Sequence, residues 1–142
     1  MKLDTKTLRK NFFKYSCSGS LLAAFDYEYD HIKPTEEEAA SPLGGGMMQC
    51  GYQCGMLWGT SMGAGAEAYK RESNPQKAMA VTILTTQEII DDFVHVTKSP
   101  DCYDITNIDA SNEILSPNFR SNDSRIRTYL LPFPNSFLQV GL

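Results

Sequence analysis

The stretch GGGMMQCGYQCGMLWGTSMGAGAEAYKR, residues 44–71, constrains the fold of this chain more than any other. Cys50 and Cys54 stand four residues apart, and Gly51, Gly55, Gly59 and Gly63 repeat on the same interval. On a helix, residues at i and i+4 share a face. The spacing therefore predicts a helix over about Met47 to Arg71, with two thiols stacked and a glycine groove beside them. Glycine inside a helix costs about 1 kcal/mol relative to alanine, so four of them cost roughly 3–4 kcal/mol. A close neighbour that needs those side chains absent must offset the cost. A second helix, a subunit or a cofactor would serve.

The chain of 142 residues is long enough for one domain with its own core. Its net charge of −4 gives no basic footprint for nucleic acid. Lys6, Arg9, Lys10 and Lys14 read as the solvated face of a first helix. The N-terminus, MKLDTKTLRK, lacks the apolar region of a signal peptide. The expected compartment is therefore the cytoplasm, where a cysteine cluster points to metal or redox chemistry rather than structural disulfides. The uncharged run from Ala39 to Ala66 is long enough to cross a bilayer, and its glycine spacing resembles membrane helix-dimer motifs. Pro42, the three consecutive glycines, Gln49, Gln53, Tyr52 and Ser61 favour a buried soluble helix instead.

Along the chain, Asp4 or Thr5 can cap a first helix to about Lys14, with Leu8, Phe12 and Phe13 turned inward. A break is expected between Ser16 and Gly19. A second helical pattern follows through Cys17, Leu21, Ala24 and Phe25, which places Cys17 on a buried stripe. Pro34 and the pair Thr35 and Glu38, spaced like a capping box, start a short helix. Ser41, Pro42 and Gly44 to Gly46 end it. Asn74 and Pro75 read as the cap and first residue of a further helix, to about Lys98. Met79, Ile83, Thr86, Ile90, Phe93 and Val94 form its expected inner stripe. Ser99 and Pro100 end it, with Cys102 just beyond. After about Asn107, Pro117, Pro132 and Pro134 interrupt any helix. Residues 1–106 therefore read as a helical cysteine-containing module and 107–142 as an irregular tail or arm. No Rossmann or P-loop glycine pattern is present.

The run GGGMMQCGYQCGMLWG resembles the glycine-rich signature of the C_GCAxxG_C_C redox protein family. The core of that signature matches Cys54-Gly55-Met56-Leu57-Trp58-Gly59, with Met56 where alanine is usual. The family's first cysteine matches Cys17-Ser18-Gly19-Ser20-Leu21-Leu22, and a later one matches Cys102-Tyr103-Asp104-Ile105. The likeness covers roughly Phe12 to Asp109. The family's final cysteine has no match, and Cys50 is an addition. The same module is similar to part of the split-Soret cytochromes c, but without a C-x-x-C-H motif no covalent haem is expected. The resemblance implies a helical redox-active module and supplies no substrate.

Four thiols suffice for a tetrahedral metal or a small iron–sulfur cluster. Their spacing, C-x32-C-x3-C-x47-C, fits no standard finger or ferredoxin motif. Cys17, Cys50, Cys54 and Cys102 are the candidate ligands. Cys54 and Cys50 are the candidate redox-active pair, and Gly51, Gly55 and Gly59 the bare ridge on which a cofactor could lie. Set deep in its helix, Cys54 would gain little from the helix dipole, whereas Cys50 stands nearer the N-terminus. The alternative for each cysteine is packing as a small hydrophobe. His31 reads as a loop residue and His95 as part of a solvated face. Glu36, Glu37 and Glu38 are a helix-start charge run, and Trp58 belongs to core or interface.

The expected fold is all-α, a compact bundle of four to five helices around the glycine-rich helix. The expected function is a small cytoplasmic redox protein. It would act by electron transfer through a cysteine-ligated iron–sulfur or metal centre, or by reversible thiol oxidation, with a redox partner protein. The alternative is a non-enzymatic helical dimerisation or scaffold module, with the glycine groove joining a homodimer. Enzymatic activity is left open.

Overall fold

The structure, a computed structural model, describes residues 5–30 and 33–108. The fold is all-α, and among the described residues there is no strand. The helices are α1 (Thr5–Glu28), α2 (Pro34–Ala40), α3 (Gly55–Arg71), α4 (Pro75–Thr97) and α5 (Cys102–Thr106), with a 3-10 turn at Ser41–Leu43 after α2. The expected tail, 107–142, falls outside the described residues from 109 onward.

The break expected in the first helical region is a kink in α1 at Ser16 (φ 67°, ψ −175°). That backbone conformation is normally reserved for glycine. Side-chain bonds to the corner after α2 hold it. Ser16 Oγ donates to the Ser41 carbonyl at 2.9 Å, and Ser18 Oγ to the Ala40 carbonyl at 2.6 Å. Phe13 was expected inside but is 63% exposed. It stands on the outer half of α1, before the kink, edge-on to Phe12. α2 begins at Pro34, whose missing N–H suits a first helical position. Thr35 is therefore already inside the helix, and the expected capping box does not form: the preceding residue, Lys33, makes no side-chain cap bond.

The glycine-rich helix starts at Gly55 and not near Met47. Gly45, Gly46, Met47, Met48, Gln49 and Gly51 all have positive φ. Such backbone cannot continue a right-handed helix. The segment is a compact left-handed turn instead. Met48 N–H bonds the Pro42 carbonyl at 2.8 Å, and Gly51 N–H and Tyr52 N–H bond the carbonyls of Gly45 and Gly46 at 3.1 Å.

α4 follows expectation at its start. Asn74 accepts bonds from Gln76 N–H and Lys77 N–H, and Pro75 leads the helix. Its inner face is rotated from the expected stripe. Ala78, Thr85, Ile89 and Phe93 are buried, while Met79 and Ile83 are 53% and 61% exposed. This face packs on α3, where Ile89 and Phe93 close on Leu57 and Ala64.

α3 packs against α1 on one side and α4 on the other. The glycine groove faces α1. A Cβ at Gly59 would overlap the Ser18 carbonyl oxygen, and one at Gly63 would lie 2.5 Å from Phe25 Cβ. The neighbour that offsets the glycine cost is thus another helix of the same chain. Phe25, Leu57, Ala64, Ile89 and Phe93 join across the three helices as the main core. No helix among the described residues is long and apolar enough to cross a membrane.

Candidate functional site

Two segments distant in sequence are clipped together at the N-terminal end of α3. Cys54 N–H bonds the Pro100 carbonyl at 2.8 Å, Cys102 N–H the Tyr52 carbonyl at 2.7 Å, and Tyr103 N–H the Gly51 carbonyl at 2.9 Å. Gln53 and Asp101 form an antiparallel bridge in the same clip. The clip brings Cys54 beside Cys102. α1 supplies the third sulfur. Cys17 Sγ lies 2.7 Å from the point a Cβ at Gly55 would occupy, a position open only because residue 55 has no side chain. Cys17 feels the charge of Cys102, and Cys54 feels that of Cys17.

Each of these cysteines stands where helix begins. Cys17 follows the Ser16 kink and opens the second half of α1. Cys54 is the residue immediately before α3, which corrects the expectation that it lies deep within that helix. Cys102, just beyond α4, is the first residue of α5. Because α3 starts only after Cys54, free N–H groups and the positive end of its dipole face that thiol. The Met56 N–H favours its charged form directly.

The three thiols are nonetheless unequal. Burial pushes Cys17 up, partly countered by the Gly45 N–H. Cys54 is pushed far up because its proton is held in the bond to Cys102; burial and the nearby Cys17 add to the effect. Cys102 is lowered, first by the bond from Cys54 and also by the Thr106 hydroxyl, against the opposing effect of burial. Of the two, Cys102 therefore gives up its proton the more readily. Cys102 is half-buried, while Cys54 is only 6% exposed, so the activated sulfur is the more accessible of the pair.

Cys50 is not part of this group. It is exposed on the left-handed turn, and its Sγ contacts the Met48 carbonyl at 3.9 Å. It shares no helix face with Cys54, because both residues precede Gly55, where α3 begins. Its expected pairing with Cys54 on one helix face is corrected by the start of α3 at Gly55. Gly51 belongs to the turn and packs on Tyr103, while Gly55 and Gly59 face α1 and not an open cofactor groove. Among the described residues, no group of three or more His, Cys, Asp or Glu side chains is arranged to hold a metal ion. His95 is exposed, as its solvated-face reading expected, and His31 lies outside the described residues. Trp58 is 36% exposed at the outer edge of α3.

Three contributors escaped sequence reasoning: the Gly45 N–H, the Pro100 carbonyl and the Thr106 hydroxyl. Glycine repeats hint at exposed N–H groups, but a carbonyl or a lone threonine carries no comparable signal.

No curated protein and no solved structure matches the chain. The family described as "Putative redox-active protein (C_GCAxxG_C_C)" matches residues 15–126. The match spans Cys17, the Cys54 signature and Cys102, the three residues that meet in space. The chain belongs to the C_GCAxxG_C_C family of redox-active proteins.

Proposed function

We propose that the protein is a thiol redox carrier in which Cys54 and Cys102 alternate between dithiol and disulfide. The observation that carries this reading is the backbone clip that sets Cys54 beside Cys102, with the Cys102 thiol lowered and half-buried rather than buried. The oxidant class is an external disulfide, on a small molecule or a partner protein. Cys102 thiolate attacks one of its sulfurs, forming a mixed disulfide and expelling the other sulfur as thiolate. Cys54 then loses its proton and attacks Cys102 Sγ. The Cys54–Cys102 bond forms and the second external thiolate leaves. Two electrons pass to the external disulfide, which is reduced to two thiols.

A cytoplasmic setting accords with this chemistry, because protein thiols there are kept reduced between turnovers. A dimerisation module is the second reading. With the glycine groove filled by α1, its support is the exposed apolar row Met79, Ile83 and Leu84 on α4.

The test is thiol counting on anaerobically purified protein in glutathione redox buffers, joined to metal analysis. Wild type should lose two thiols in one two-electron step, and Cys54→Ser should lose that intramolecular couple completely. Four thiols that never couple would overturn the reading. So would stoichiometric iron or zinc that disappears in Cys54→Ser.

A further inference from the structure

Cys17 has no part in a two-cysteine cycle, yet the fold goes to some length to place it. The Ser16 kink turns α1 at the residue before it. Gly55 leaves open the space that its sulfur occupies. The Gly45 backbone N–H favours the charged form of its thiol. A cysteine that merely filled core volume would need none of these three features.

We propose that Cys17 is an exchanging thiol that moves the disulfide inward, converting Cys54–Cys102 into Cys17–Cys54. This rests on the dithiol cycle proposed above and extends it. In the step, Cys17 gives up its proton and its sulfur attacks Cys54 Sγ. The Cys17–Cys54 bond forms, the Cys54–Cys102 bond breaks, and Cys102 leaves as thiolate and takes up a proton. No electron is gained or lost, so no further oxidant is needed. Cys54 is the shared sulfur because it immediately precedes Gly55, against which Cys17 Sγ lies, and belongs to the segment clipped to Cys102.

The consequence is two oxidised forms with different surfaces. One exposes a disulfide edge at Cys102. The other holds the disulfide between Cys17, packed on the core, and buried Cys54, and presents Cys102 as a free thiol. Cys17 is half-buried like Cys102, so the two forms differ in which of these two sulfurs is engaged with Cys54 and which is free. Cys102 is then free to attack a further disulfide while the protein remains oxidised.

Non-reducing peptide mapping of oxidised wild type, quenched in acid, tests the proposal without any substitution. Both the 54–102 and the 17–54 cross-links should be found, and Cys102 should take up a thiol label in the fraction carrying 17–54. In Cys102→Ser, oxidation should still remove two thiols, as 17–54 alone. In Cys17→Ser, labelling of Cys102 in the oxidised protein should fall at least tenfold. A map with 54–102 alone, with no change on Cys17→Ser, would overturn the exchange and leave the dithiol cycle standing. Absence of any intramolecular disulfide in wild type would overturn both.

Discussion

α3 is held by two seams of different construction. Against α1 the approach is through bare backbone: Gly59 meets the Ser18 carbonyl, Gly63 meets Phe25, and Gly55 meets Cys17. Against α4 the contact is between side chains, with Ile89 and Phe93 closing on the core and Gly65 only in ordinary reach of Thr82. A main-chain carbonyl cannot rotate out of the way, whereas side chains can change rotamer and repack. The first seam therefore fixes position tightly and the second tolerates adjustment. The thiol cluster lies at the end of the tight seam. Sulfur–sulfur chemistry needs that placement, because disulfide geometry accepts little error.

The largest expected effect breaks the tight seam directly. Gly59→Ala would drive a methyl into the Ser18 carbonyl and should destabilise the protein by at least about 3 kcal/mol, the upper range for overpacking. Urea unfolding measures this. A loss under about 1 kcal/mol would show that the α1–α3 seam yields after all.

The outer flank of α1, toward α2, offers a middle-sized test. Asp26 and Glu37 are both buried, and Asp26 Oδ2 has no hydrogen-bond partner among the described residues. Burial, with the charges of Glu37 and Glu36 and against the opposing charge of Lys33, pushes the Asp26 carboxyl up to about 6. A raised value in the folded state means that this group's contribution is complete below about pH 4, the ordinary carboxyl range. The contribution is lost as pH rises through about 6. Asp26→Asn should therefore gain about 1–2 kcal/mol at pH 7, allowing for solvent screening, and little at pH 4. Unfolding midpoints across that range check the sign. Equal effects at both pH values would show that no buried charge strains this flank.

The smallest effect concerns the tolerant seam. Gly65→Ala should be neutral or stabilising by up to about 1 kcal/mol, because helix propensity improves and the Thr82 methyl can shift. Thermal unfolding beside Gly59→Ala completes the comparison. Similar losses in both variants would erase the distinction between the seams.

Much of the fold was legible along the chain because its signals are local. Asn74-Pro75 set the start of α4, and Pro34 set that of α2. The α1 break fell at Ser16, within the predicted interval. The failures share a cause. A four-residue glycine interval reads the same whether its first member lies in a helix or in a turn, and from Gly45 and Gly46 onward the backbone is left-handed. Cys50 was misplaced for that reason. On α4, Met79 and Ile83 match the helical period as well as Ala78 and Thr85 do. Only the shape of the facing helix selects between the two sets.

By itself, the sequence determined that this chain is helical, that some element must approach the glycine row closely, and that cysteine chemistry is its central question. These follow from periodicity, side-chain volume and composition, which need no knowledge of distant residues. The tertiary structure alone decided that the close element is α1 and that Cys17, Cys54 and Cys102 meet while Cys50 stays outside. Cys54 and Cys102 are separated by 47 residues. Their meeting depends on backbone bonds between 51–54 and 100–103, and no local pattern encodes which carbonyl an N–H will find across such a gap.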